Sequence, residues 1–171
     1  MASNRVQRSI RLVDAFCLDT SFLINGWRKR YPISVFPSLW NEIDTLIGRD
    51  QIWSVEEVYR ELRRQEDELL AWAKVRRKLF RKPTARVLGR LTEVMKQFPN
   101  FAARASAGNR ADPFIIAEAI ASDLIVVTDE APLRIKPLKA TKPPKIPDVC
   151  EALGVKWASP TEFFQRVGFS F

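Results

Sequence analysis

The chain has 171 residues, 46% of them hydrophobic and 28% charged, with a net charge of +8 and a pI of about 9.9. It contains no histidine and two cysteines, Cys17 and Cys150, far apart in sequence. This composition predicts one globular domain and excludes Ser-His-Asp triads, other histidine-dependent acid–base catalysis and histidine-ligated zinc. The excess of cations favours an anionic partner, of which nucleic acid is the commonest.

The N-terminal residues 1–11 are basic and polar, and we expect them to form a loose lead-in to a single domain spanning residues 1–171. They lack the apolar stretch of a secretion signal. No apolar run approaches the roughly 20 residues that a membrane-spanning helix requires. Two distant cysteines are typical of reduced thiols, so we expect a cytoplasmic protein without membrane contact.

The first strand is predicted at residues 12–18, where four consecutive apolar residues end at Asp19. An unbroken apolar run is typical of a strand buried on both faces of a parallel sheet. Asp19 then lies at the carboxyl end of the strand, where ligands bind in open α/β sheets. It is either a turn residue bonded to backbone amides or a metal ligand or catalytic acid, because burial of an unpartnered carboxylate is costly.

Two helices and a short strand are expected next, at residues 22–30, 39–48 and 51–54. Ser54 and Glu57 match a capping box, which predicts that the following helix begins there. Glu61 lies one turn beyond Glu57, beside apolar positions, and caps nothing. A surface helix acid would fit that place equally well.

A cluster of cations occupies two further predicted helices, at residues 66–81 and 85–97. Its seven members fall within fifteen residues and are Arg76, Arg77, Lys78, Arg81, Lys82, Arg86 and Arg90. Cations stabilise helix C-termini, but seven exceed that need. We therefore predict a phosphate-facing patch, with a solvated surface as the alternative.

The remaining chain contains a second strand that ends in acids. Residues 124–127 are apolar and are followed by Thr128, Asp129 and Glu130, whereas Asp112 and Pro113 are typical of an ordinary helix start. The other expected elements are a loop, a helix, a basic Pro-rich loop, an edge strand and a capped helix, at residues 98–110, 114–121, 134–147, 155–158 and from 159 onward.

The alternation of strands and helices predicts an α/β fold in three layers, with a mostly parallel central sheet flanked by helices. In that architecture the acids at the strand ends meet at one edge of the sheet. Clustered carboxylates repel one another unless cations hold them, and oxygen-only sites suit Mg²⁺ or Mn²⁺. Two such ions can activate a water molecule and stabilise the leaving oxygen of a phosphodiester.

Four segments resemble the motifs of PIN-domain ribonucleases, in the same order along the chain. They are residues 18–24 (LDTSFLI), 54–62 (ending Arg60-Glu61-Leu62), 111–117 (ADPFIIA) and 126–130 (VVTDE). Residues 145–155 resemble a little-studied prokaryotic PIN-like subfamily. The resemblance covers nearly the whole chain and implies the three-layer PIN-like fold.

The resemblance also implies a Mg²⁺- or Mn²⁺-dependent endoribonuclease that binds one or two ions and hydrolyses RNA. VapC-type toxins of toxin–antitoxin pairs act in this way. The implied partners are therefore RNA, an antitoxin protein that blocks the acidic site and a second copy of the chain in a homodimer.

By their positions in the four motifs, the resemblance assigns a catalytic and metal-binding role to Asp19, Glu61, Asp112 and Glu130. The family pattern Thr-x-Asp places its acid at Glu130, which is a departure from Asp. Asp129, one residue earlier, stays a candidate for the same role. Thr128 and Ser21 would hold the acids, or a water molecule on the metal, through hydrogen bonds.

Two other functions are compatible with parts of the sequence. A PIN-like module that binds nucleic acid or regulates with little or no catalysis is favoured by Glu in place of Asp at the fourth position. A phosphatase of the haloacid-dehalogenase type fits worse, because it needs a second Asp where Ser21 stands.

The tryptophans offer rings that stack on bases. Trp40, Trp53 and Trp72 lie among apolar positions and are predicted to be core residues. Trp27 precedes three consecutive cations, at residues 28–30, and is the candidate for contact with nucleic acid.

Overall fold

The central sheet has five parallel strands in the order β3-β2-β1-β4-β5. It is seen in a computed structural model that describes residues 14–106, 108, 110–133 and 142–169. The strands are β1 Phe16–Leu18, β2 Ile52–Val55, β3 Phe80–Arg81, β4 Ile125–Val127 and β5 Trp157–Ala158. The predicted α/β class with a parallel sheet flanked by helices is confirmed.

Helices connect the strands and cover the sheet. They are α1 Thr20–Asn25 with a π-helical turn at Gly26–Arg30, α2 Pro37–Gly48, α3 Glu56–Leu62, α4 Glu68–Lys74, α5 Ala85–Gln97, α6 Pro99–Ser106, α7 Ala111–Ser122, α8 Ile146–Leu153 and α9 Pro160–Val167. Within the described ranges, no helix has the length and apolar composition that crossing a membrane requires. Helix α7 packs against β1, β2 and β4, and Phe163 of α9 meets Phe16 of β1 edge-on at 4.9 Å between ring centroids.

The strand order has its switch point beside β1. This strand pairs with β2 on one side and with β4 on the other. Strands β2 and β3 therefore extend the sheet in one direction from β1, and β4 and β5 extend it in the other. Ligands in open α/β sheets bind outside the carboxyl ends of the strands at such a switch point. The predicted convergence of the acids that follow β1 and β4 therefore occurs at the position where this fold forms sites.

Three segments differ from their predicted structure, and one of them is the end of the basic loop expected at 134–147, where α8 begins at Ile146. The helix expected at residues 66–81 ends at Lys74 and is followed by a 3₁₀ turn, Arg77–Leu79, and by β3, because Phe80 pairs with Ser54 of β2. The loop expected at 98–110 contains α6, which buries Phe101 completely. The predicted lead-in at residues 1–11 and residues 134–141 of the predicted basic loop lie outside the described residues.

The predicted capping box at Ser54 is wrong. Ser54 is a fully buried strand residue, and its hydroxyl donates a 2.6 Å hydrogen bond to the carbonyl oxygen of Leu18, one residue before Asp19. Helix α3 begins at Glu56, with Val55 as its N-cap. The capping box at the start of α9 is confirmed, since Ser159 and Glu162 exchange hydrogen bonds of 2.8 and 3.3 Å.

The assignment of Trp27 to a nucleic-acid contact is wrong in structural terms, because its side chain belongs to the core. Trp27 is 8% exposed, and its ring lies 4.7 Å from that of Trp40 and 5.8 Å from that of Trp72. The π-helical turn directs this ring inward while the following three cations remain exposed. Trp40, Trp53 and Trp72 are buried as predicted.

We expect Trp27→Ala to lower the free energy of unfolding by about 3–5 kcal/mol, because it leaves a cavity between two packed tryptophans. Val75, which is 79% exposed, provides the control, since Val75→Ala should change stability by no more than about 0.5 kcal/mol. Urea denaturation followed by far-UV circular dichroism measures both. A Trp27→Ala loss below about 1 kcal/mol would contradict the core assignment.

Candidate active site

Asp19 is held at the end of β1 by hydrogen bonds from two other segments. Its backbone N–H donates to the carbonyl oxygen of Val127 in β4 at 2.9 Å. The hydroxyls of Ser21 and Thr128 both donate to Oδ2 of the carboxylate, at 2.5 and 2.9 Å. Because the side chain is 2% exposed, these bonds replace the water that would otherwise solvate this oxygen.

Burial raises the pKa of Asp19 to about 6, and the nearby charge of Glu130 raises it as well. The hydrogen bonds from Ser21 and Thr128 oppose that rise because they favour the ionised carboxylate. The hydrogen bonds therefore offset only part of the cost of burying this charge. Strongly perturbed acids of this kind cluster at functional sites.

Glu61 accepts hydrogen bonds from residues that are adjacent in sequence to two other acids of the site. Its Oε2 accepts a 2.6 Å hydrogen bond from the hydroxyl of Thr20, and its Oε1 accepts one of 3.0 Å from the backbone N–H of Ala111. Thr20 follows Asp19 and Ala111 precedes Asp112 in sequence, so one carboxylate joins the starts of α1 and α7. Glu61 is therefore not a solvated acid on the helix surface.

Asp112 lies in the first turn of α7 and is 5% exposed. The helix begins one residue earlier than the predicted cap, with Arg110 at the N-cap position. Asp112 is consequently a helical residue near the positive end of the helix rather than its cap. A helix N-terminus carries a partial positive charge, so anionic ligands and cation-binding acids are often found there.

The two acids after β4 face different partners. Asp129 accepts a 2.8 Å hydrogen bond from the side-chain amide of Asn25 and forms a 2.9 Å ion pair with Arg30. Glu130 accepts a 3.0 Å hydrogen bond from the backbone N–H of Ile146 at the start of α8. Of the two, Glu130 is the one whose charge raises the pKa of Asp19.

Sequence reasoning missed Asn25, Arg30 and the backbone amides that hold the acids. Asn25 lies four residues after Ser21 on α1, and this spacing places both on one helix face. That pattern was a usable signal for Asn25. The amide of Ala111 had no signal, because its contact with Glu61 spans 50 residues of sequence.

The predicted basic patch is largely paired with carboxylates of the same chain. Its paired members and their partners are Arg76 with Asp44, Arg77 with Glu56 at 2.8 Å, Lys78 and Arg81 with Asp50 at 3.2 and 3.3 Å, and Arg90 with Glu93 at 2.7 Å. Lys82 and Arg86 are exposed and form no ion pair with the described residues. The predicted role in phosphate binding stays a prediction, with less free charge than the sequence suggested.

The donors at the site are oxygen atoms from carboxylates and hydroxyls, a set that suits Mg²⁺ or Mn²⁺. Over the part of the chain that the structure describes, no three acids or thiols are grouped closely enough to hold a cation. Glu61 and Glu130 are each turned toward backbone amides. Cation binding by this set would therefore require the acidic side chains to move closer together.

Residues 16–171 match a family described as "Domain of unknown function (DUF4411)". The chain belongs to this family. The match spans every acid of the site, from Asp19 to Glu130. No match to a curated protein was found.

We predict that Asp19→Asn removes a pH-dependent loss of stability from the metal-free protein. The native pKa of about 6 exceeds the ordinary value of 3.8, so folding favours the protonated carboxyl. Its contribution to stability is complete below pH 3.8 and is lost as the pH rises through about 6. The wild type should lose up to about 3 kcal/mol relative to the variant across this window.

Urea denaturation of both proteins in chelator, from about pH 4 to about pH 8, measures this difference. Glu42→Gln, a carboxylate-to-amide change on the exposed face of α2, controls for the loss of one charge. A difference between wild type and Asp19→Asn that stays constant with pH would contradict the assignment.

Proposed function

We propose that this DUF4411 protein is a PIN-like, metal-dependent endoribonuclease that hydrolyses RNA phosphodiesters. The observation that carries the proposal is a carboxyl group, Asp19, buried at the switch point of a parallel sheet with its pKa raised to about 6. Hydrogen bonds through immediate sequence neighbours connect Glu61 with the segments of Asp19 and Asp112. The PIN-like motif order supports the same conclusion.

The proposed cofactor is one or two Mg²⁺ or Mn²⁺ ions, and the residues that would hold it are Asp19, Glu61, Asp112 and Glu130. A divalent ion bound there supplies positive charge to the reacting phosphate and activates the attacking water. Ser21 and Thr128 keep the Asp19 carboxylate in one orientation, because both hydroxyls donate to the same oxygen. Asp129 positions the end of α1 through Asn25 and Arg30 and has no direct role in this scheme.

We further propose a cytoplasmic toxin of a toxin–antitoxin pair, which forms a homodimer and is inhibited by an antitoxin protein over the acidic site. Cys17 and Cys150 are free and buried, which is usual in a reducing compartment. The partners follow from the resemblance to VapC-type proteins.

A second candidate function is RNA binding or regulation without appreciable cleavage. It is favoured by the hydrogen bonds that already occupy Glu61 and Glu130. The described residues also lack a group of three acids or thiols that could hold a cation. The two candidates differ in whether a divalent ion displaces those bonds.

We predict that the protein cleaves RNA with Mg²⁺ or Mn²⁺, and that chelator abolishes cleavage. Asp19→Asn should reduce the cleavage rate by roughly 100-fold or more, because even residues that merely support metal ligands are worth 10- to 100-fold. A panel of single-stranded and structured RNAs, resolved on denaturing gels, measures the rates.

Glu42→Gln is the matched control for this experiment and should cleave at the wild-type rate. Salt-sensitive RNA binding by wild type and Asp19→Asn, with no cleavage under either metal, would establish the binding module instead. Cleavage that Asp19→Asn leaves unchanged would refute the carboxylate site.

We predict that Glu130→Gln lowers the maximal cleavage rate by roughly 100-fold, because Glu130 is the acid whose charge reaches Asp19. Asp129→Asn should cost less than roughly tenfold, since Asp129 acts through Asn25 and Arg30. Single-turnover rates at saturating RNA separate the two. The reverse order of effects would assign the fourth acid to Asp129.

A further inference from the structure

The cations of the predicted patch are poor candidates for binding a phosphate backbone. Five of the seven are paired with carboxylates of the same chain. Arg77 and Arg81 also stack on the rings of Tyr59 and Trp53, at 3.6 and 3.8 Å from the ring centroids. Each would have to give up these partners before it neutralised a phosphate.

Another set of cations lies on the segments that carry or contact the acids of the site. Arg30 is paired with Asp129, as the patch cations are with their carboxylates, and 54% of its side chain is exposed. Arg64, one turn after Glu61, donates a 2.8 Å hydrogen bond to the carbonyl oxygen of Gly108 in the turn that leads into α7. Arg30 and Arg64 thus lie on the segments that follow α1 and α3.

Its remaining members precede the two backbone amides that hold the acids. Arg110 is exposed and directly precedes Ala111, whose N–H binds Glu61. Lys145 is half-buried and directly precedes Ile146, whose N–H binds Glu130. Neither Arg110 nor Lys145 forms an ion pair with the described residues.

We propose that these four cations, Arg30, Arg64, Arg110 and Lys145, form the surface that binds the phosphodiester backbone of single-stranded RNA. We call them the site rim. This inference rests on the proposed function, because it names where the substrate strand lies relative to the acids. A strand crossing an acidic centre needs flanking cations, which attract it from solution and hold its phosphates on either side.

The burial of the acids favours a single strand over a duplex. Asp19 and Asp112 are 2% and 5% exposed, so a phosphate must pass below the protein surface to reach them. A single strand bends its backbone inward at one nucleotide, whereas the duplex presents a rigid, regular surface that proteins recognise by shape. Three of the four rim residues are arginines, whose planar fork binds phosphate oxygens in pairs.

The test compares two double variants that each remove two cations. Arg110→Gln/Lys145→Gln alters the site rim, and Lys82→Gln/Arg86→Gln alters the predicted patch. None of the four side chains forms an ion pair with the described residues, so both variants should fold normally. Binding of a short fluorescein-labelled single-stranded RNA is followed by fluorescence anisotropy in chelator, at several salt concentrations.

The rim variant should make the plot of log affinity against log salt less steep by about 1.4, since each phosphate contact contributes about 0.7 for a single strand. At 0.1 M salt the same slope corresponds to roughly 25-fold weaker binding. The patch variant should change the slope by less than about 0.4. A loss in the patch variant equal to or greater than that in the rim variant would overturn the proposal.

Two further measurements keep this result separate from that of the proposed function. Duplex RNA that binds as tightly as the single strand would overturn the assignment of the ligand. Cleavage of RNA by wild type with Mn²⁺ is assayed in parallel. Cleavage with no effect of the rim variant on binding refutes the rim alone, whereas rim-dependent binding without cleavage refutes the nuclease alone.

Discussion

The site depends on the way in which the Asp19 carboxylate is buried between the ends of β1 and β4. Hydroxyls from Ser21 and Thr128 reach the same oxygen, so the two strand ends share one acceptor. These bonds recover part of the cost of burying a charge, and the remainder appears as a pKa of about 6. A fold gains no stability from an acid in that state, and an apolar residue or an amide would serve the sheet better. Its presence is therefore best explained by chemistry performed at this edge.

Two other acids of the site, Glu61 and Glu130, each face the N-terminus of a helix. The first backbone N–H of α7 donates to Glu61, and the first of α8 donates to Glu130. Each helix end carries a partial positive charge and unpaired N–H groups, which stabilise a nearby carboxylate. The same contacts tie α3 to α7 and the end of β4 to α8. The two acids thus help to set the positions of α7 and α8.

The sequence predicted the features that depend on local pattern, and it missed those that depend on distant partners. Strands β1 and β4 were recognisable because each is a short apolar run that ends in polar residues. Strand β3 was not, because Phe80 becomes a strand residue through pairing with Ser54. The basic cluster was visible as a run of cations, but the carboxylates that pair with Arg76 and Arg77 lie 32 and 21 residues away. Helix α6 has a composition typical of a loop, and the burial of Phe101 explains its stability.

In the proposed scheme, a divalent ion and two backbone amides compete for the carboxylates of Glu61 and Glu130. The outcome of this competition decides between catalysis and binding alone. A hydrogen bond to a charged group contributes about 1.5–3 kcal/mol, so a divalent ion that draws either carboxylate away from its amide must offset about that much. An ion bound as proposed would recover part of this cost at Asp19, because it would offset both the burial that mainly raises the pKa and the smaller repulsion from Glu130. A proton on Asp19 relieves the same repulsion. Under the proposed function, protons and a divalent ion would therefore compete at one carboxylate, and this competition would tie metal affinity to pH in the range where Asp19 ionises.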